Sequence, residues 1–147
     1  MTLLDAPAET TNKSRPMAFA VAALVIIGIV ALWYTFRYYP EKRAADHFFS
    51  ALVAGNTDEA YKIWKPGPSY QMKDFLADWG PEGYYGPVKS FRIEKAEARR
   101  SASGVVVTVS VSPFSPMPEP SDAPKSQKTR VVNVWVETSD HSFSFPP

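Results

Sequence analysis

The sequence predicts an α+β protein, with a single N-terminal transmembrane helix followed by a small domain of three helices packed on a bent four-stranded antiparallel sheet. Three observations predict it. Twenty consecutive residues, Met17 to Phe36, carry no charge. Between Ala45 and Trp79 apolar residues recur at i, i+3, i+4 and i+7, the spacing of one helical face. From Val88 onward the period falls to two, the signature of strands. Helices first and strands afterwards is the α+β order.

Residues 1–16 read as a disordered tail. They are polar and aperiodic, with Asp5 and Glu9 set against Lys13 and Arg15. Residues 17–37 read as the membrane helix. At 1.5 Å per residue such a run spans roughly 30 Å, the thickness of a hydrocarbon core. Pro16 stands where a helix start tolerates proline. Lys13 and Arg15 precede the run, and Arg37, Lys42 and Arg43 follow it. Trp33, Tyr34, Tyr38 and Tyr39 gather at its C-terminal end, where amphipathic rings suit the headgroup level. A cleaved signal peptide has a shorter apolar core and a small-x-small site. This run ends instead in bulky aromatics. The flanking charges do not fix orientation. A short tail ahead of the span and a long domain behind it predict a single-pass membrane protein with the domain on the extracytoplasmic side, periplasmic or extracellular.

Residues 41–147 read as the soluble domain, after Pro40 stops or kinks the membrane helix. Ala45, Phe48, Phe49 and Leu52 share one helical face, and Gly55 is a natural stop. Asn56 stands three residues before Glu59, a capping-box spacing that opens a second helix through Ala60, Ile63 and Trp64. Ser69 can cap a third, carrying Met72, Phe75, Leu76 and Trp79 and closing at Gly80-Pro81. The segment from Pro81 to Pro87 reads as a loop with two adjacent tyrosines.

The first strand spans Val88 to Ala98, with Phe91 and Ile93 inward. The second alternates Val105, Val107, Val109 and Val111 with smaller or polar residues. The third runs from about Thr129 to Thr138, with Val132, Val134 and Val136 on one side and Val131, Asn133 and Trp135 on the other. The last carries Phe143 and Phe145. Residues 113–128 form a proline-rich loop, because five prolines deny the backbone donors a ladder needs.

Composition excludes several classes of function. Sixteen Lys and Arg against 15 Asp and Glu leave a net charge of +1, too little excess for a nucleic-acid partner. The chain has no cysteine and two histidines, so thiolate chemistry and an all-histidine metal centre are excluded. No phosphate-binding glycine loop, nucleophile elbow or HExxH pattern occurs. No cofactor, metal site or catalytic residue is predicted.

The stretch AADHFFSALVAGNTDEAYKIW, the break into FLADWG and the closing VVNVWVE resemble the nuclear-transport-factor-2-like, or cystatin-like, superfamily, in particular small membrane-anchored bacterial members without assigned chemistry. That resemblance implies a cone of helices and bent sheet around an apolar pocket. Enzymes of this fold, such as steroid isomerases and small dehydratases, place an acid, histidine or tyrosine inside the cone. The candidates of those types are Asp46, His47, Asp140, His141, Tyr61 and Tyr84. The two Asp-His pairs read as surface groups. His47 lies about 200° around the helix from Ala45, away from the apolar face, and His141 belongs to a turn.

Tyr61, Trp64, Phe75, Trp79 and Trp135 read first as aromatic core and second as a pocket lining, with Trp135 on the sheet face away from the helices. Tyr84 and Tyr85 are more informative, since a solvated loop has no need of two adjacent rings. The site residues of interest, as ligand pocket or partner contact, are therefore Tyr61, Trp64, Trp79, Tyr84, Tyr85 and Trp135. The expected function is a non-enzymatic, membrane-anchored interaction module, with the lipid bilayer and another membrane or envelope protein as partners and an accessory-subunit role as a variant. The alternatives are a small-molecule-binding or hydratase/isomerase-type pocket and a purely structural spacer.

Overall fold

The computed structural model describes residues 14–117 and 128–147. The tail ahead of Ser14 and most of the proline-rich loop lie outside the described residues. The chain divides into two units, one ending at Arg37 and the other running from Tyr38 to Pro147.

The first unit is a single helix, α1 (Ser14–Phe36). It is apolar on every side, and its residues from Arg15 to Phe36 are all exposed. It is long and apolar enough to cross a membrane. It starts a little before the charge-free run, because Arg15 and Pro16 fit in its first turn. Near its end the Thr35 hydroxyl donates back to the Ala31 carbonyl at 2.8 Å. Arg37 lies 5.1 Å over the Trp33 ring, joining a cation to the aromatic end of the helix.

The second unit holds α2 (Tyr39–Val53), α3 (Thr57–Trp64), α4 (Met72–Trp79) and the strands β1 (Ser90–Ala98), β2 (Gly104–Ser112), β3 (Arg130–Glu137) and β4 (Phe143–Ser144). Gly55 ends α2 with φ at +74°, a left-handed conformation that costs glycine nothing. Its N–H donates to Leu52 and that of Asn56 to Ala51, closing the helix with a Schellman motif. The Asn56 side chain then accepts from the Glu59 N–H at 3.2 Å and opens α3.

The start of α4 differs from the sequence expectation. Gln71, not Ser69, is the N-cap. The Gln71 side chain accepts from the Asp74 backbone while the Asp74 carboxylate accepts from the Gln71 N–H at 3.0 Å. This reciprocal pair is a capping box built from Gln and Asp.

The sheet is a meander in the order β1-β2-β3-β4, with every neighbouring pair antiparallel. Glu94 is an extra residue between Ile93 and Lys95, so the register of β1 slips there. β1 begins at Ser90 and not at Val88, although the Lys89 N–H already donates to Ser112. β4 is only two residues long. Pro146 and Pro147 have no N–H to extend its ladder.

Alternation decides the faces. Val105, Val107, Val109 and Val111 of β2 and Val132, Val134 and Val136 of β3 are all buried. Phe48 and Phe49 of α2, Trp64 of α3 and Phe75 and Trp79 of α4 belong to the same buried cluster. The Phe48 ring stands at 5.3 Å from Trp79 and 5.2 Å from Phe143, and Phe49 meets Phe91 at 5.5 Å. Each fully buried ring of this kind contributes about 1.5–3 kcal/mol through its removal from water. The aromatic cluster thus holds the helices, both ends of the sheet and the C-terminus together.

Candidate functional site

The loop after α4 is built by the helix end itself. The last carbonyls of a helix have no partner within it. Here the Leu76, Ala77 and Asp78 carbonyls accept from the N–H groups of Gly80, Tyr84 and Tyr85 at 2.9, 2.9 and 2.8 Å. The chain therefore folds back over the end of α4 and is pinned along its length. The approach is close. A Cβ on Gly86 would sit 1.8 Å from the Gly80 carbonyl oxygen, so only glycine fits.

That closure sets the two tyrosines to different tasks. Tyr85 is half-buried and stacks on Trp79, with centroids 4.8 Å apart and planes 27° from parallel. Phe145 flanks it at 6.0 Å. Tyr84 stands edge-on to Tyr85 at 4.8 Å and is 64% exposed. The Arg130 guanidinium, at the start of β3, lies 4.4 Å over the Tyr84 ring. Burial pushes the Tyr85 phenol above its ordinary pKa, with the neighbouring Tyr84 and Asp78 adding to the effect and the Arg130 charge opposing it. Beside the pair lies a cavity of about 200 Å³, whose walls include Tyr84, Tyr85, Lys128 and Arg130.

The other expected site residues fall elsewhere. Trp64 and Trp79 are each 2% exposed and belong to the core. Tyr61 packs at its margin and donates its hydroxyl to the Tyr70 carbonyl at 3.1 Å. Tyr70 in turn donates to the Asp78 carboxylate at 2.6 Å. Burial first, and then this bond to a carboxylate, raise the Tyr70 phenol far above its ordinary pKa. Trp135 is half-buried on the opposite sheet face, its Nε1 3.3 Å from a Glu137 carboxylate oxygen. Its ring lies over Gly104, where a Cβ would come within 2.6 Å of the indole. Trp79 and Tyr85 thus join the loop to the core, while Trp135 belongs to a separate surface.

Asp46 and His47 are exposed on α2. His141 reaches the same shallow surface depression as His47, together with Tyr39, Pro40, Arg43 and Ala44. Asp140 is exposed, and hydrogen bonds first from the Ser142 hydroxyl and then from the Ser142 N–H, the latter at 2.9 Å, hold its carboxyl below the usual range. Among the described residues, no group of three or more His, Asp or Glu side chains is placed to hold a metal ion.

Two groups escaped the sequence reading. Arg130 carried no motif, and its place over Tyr84 depends on a contact between residues far apart in the chain. Glu41 is only 4% exposed, and one of its carboxylate oxygens has no hydrogen-bond partner. It shares the helical face of Ala45 and stands in the first turn of α2, where an acid is favoured by the helix dipole.

No protein-family model, curated protein or solved structure matches this chain. The functional reading therefore rests on the geometry of the Tyr84 loop and on the apolar helix.

Proposed function

We propose that this protein is a single-pass, membrane-anchored interaction module whose extracytoplasmic head binds another membrane or envelope protein through the Tyr84 loop. We further propose that the head is a small member of the nuclear-transport-factor-2-like superfamily, in keeping with its helices-then-meander order and the segments quoted above. The observation that carries the reading is the exposed Tyr84 ring, held by a loop whose Tyr84 and Tyr85 amides are spent on α4 and capped by a cation from β3. Aromatic and arginine side chains on a rigid platform are the residues that dominate protein contacts. Pre-organisation lowers the entropy lost on binding. The buried aromatic cluster of Phe48, Phe49, Trp64, Phe75 and Trp79 favours a contact surface over an internal ligand pocket.

The test is isolation of the full-length protein from native membranes in mild detergent. A stoichiometric partner that is retained by the native chain and lost from Tyr84→Ala supports the reading. Purification without a partner, or a partner indifferent to that substitution, overturns it.

A further inference from the structure

Resting on the contact reading above, we propose that the cavity beside Tyr84 takes a carboxylate group of the polypeptide partner, gripped by Arg130 and Lys128.

Both cations line the cavity, and no carboxylate is among the described residues that form its walls. Among the described residues of the site, none cancels the Arg130 charge. Its guanidinium lies 4.4 Å over the Tyr84 ring, which occupies one face of the plane. Stacking of that kind leaves the N–H edge free and fixes its direction. A planar fork of N–H donors matches the two oxygens of a carboxylate. Arg130 stands opposite Val111 in the β2-β3 ladder, so a strand and not a flexible loop sets its backbone position. Val111, Pro113 and Pro87 supply apolar walls for the carbon chain that carries the acid.

The same geometry disfavours phosphate. Phosphate cradles are commonly built from convergent backbone N–H groups. In this loop the N–H groups of Gly83, Tyr84, Tyr85 and Gly86 already donate to Gly80, Ala77, Asp78 and Gly83, and Pro87 has none. The amides of this loop are therefore spent. Both cations are exposed, so one carboxylate is held weakly and serves as one anchor within a larger contact.

The test uses the isotope-labelled full-length chain in detergent micelles, followed by NMR. The probes are N-acetylglutamate methylamide for an acidic side chain, N-acetylglycine for a chain terminus, neutral N-acetylglutamine methylamide, and inorganic phosphate. The expected result is a saturable shift of the Gly83 to Gly86 amides and the Arg130 Nε with a carboxylate probe, and none with the neutral one. The carboxylate with the lower midpoint names the source. Arg130→Gln should raise that midpoint at least fivefold and Arg130→Lys by less, with the remaining spectrum unchanged. No saturation, an equal response to the neutral probe, a phosphate midpoint at or below that of the carboxylates, or an Arg130→Gln chain that is native in spectrum and unaltered in midpoint overturns the proposal. A partner that co-purifies while carboxylates fail to bind leaves the contact reading standing and removes this one. Carboxylate binding without a co-purifying partner does the reverse.

Discussion

Tyr85 stacks on Trp79 with ring centroids 4.8 Å apart, and through this stack a surface loop is fastened to the buried core. Trp79 itself meets Phe48, Phe49, Trp64 and Phe145 within 6.0 Å. The loop therefore takes its rigidity from the same rings that stabilise the fold. Tyr84, one residue earlier, has no such backing and faces outward.

This division of labour predicts unequal effects of two neighbouring substitutions. Tyr85→Ala should destabilise the head by about 2 kcal/mol, since it removes a half-buried ring and a stacked pair. Tyr84→Ala should cost about 0.5–1 kcal/mol, the worth of an exposed cation–π contact. Urea unfolding of the full-length protein in detergent, followed by near-ultraviolet circular dichroism, measures both. Equal losses would show that the two rings are not held as described.

Alkali should weaken the fold through Tyr70. Its phenol is raised above the ordinary value of 10.0 because it is buried and donates to Asp78. The folded state thus keeps a proton that the unfolded chain gives up. The contribution is complete below about pH 10 and is lost as pH rises above it. Tyr85, raised in the same direction, adds to that decline. Tyr70→Phe should make the alkaline loss of stability shallower without abolishing it, while lowering stability at neutral pH by leaving Asp78 without its donor. An unchanged slope in a series of unfolding curves from pH 8 to 11 would contradict this assignment.

Gly104 and Gly86 should resist even alanine. A Cβ on Gly104 would meet the Val136 carbonyl oxygen at 2.5 Å and the Trp135 ring at 2.6 Å. Gly104→Ala should cost about 1–3 kcal/mol, as overpacking does, and displace the indole. A changed Trp135 Nε1–H resonance reads the displacement directly. Gly86→Ala, blocked by backbone at 1.8 Å, should instead open the Tyr84 loop and expose its amides to hydrogen exchange.

The helix α1 should keep the full-length protein in the pellet after alkaline carbonate washing. Replacement of Ile26 and Ile27, both exposed near its centre, by lysine should release it. Sedimentation with immunodetection decides the matter, and release of the native chain would remove the membrane reading.

Much of this architecture was legible in the sequence because its signals are local. Gly55 and Asn56 announced the break between α2 and α3. The alternation of Val105 to Val111 and Val132 to Val136 announced the buried sheet face. The start of α4 departs from the sequence pattern, in which Ser69 is the stronger cap by residue type. Gln71 prevails because it alone has Asp74 three residues ahead to return the bond. The shortness of β4 follows from two terminal prolines whose effect outweighs the alternation of Phe143 and Phe145. The site was half legible. Adjacent tyrosines between glycines and prolines drew attention to Tyr84 and Tyr85, but nothing local marks Arg130. It meets Tyr84 only because the β2-β3 pairing returns the chain to the end of α4.

The most direct measurement is photo-crosslinking in intact native membranes from full-length chains carrying p-benzoylphenylalanine at position 84 or, as a control, at position 97 on the exposed side of β1. A membrane-held contact surface at the Tyr84 loop predicts one discrete protein adduct from position 84 and none from position 97. No adduct from 84, or the same adduct from both positions, would contradict it.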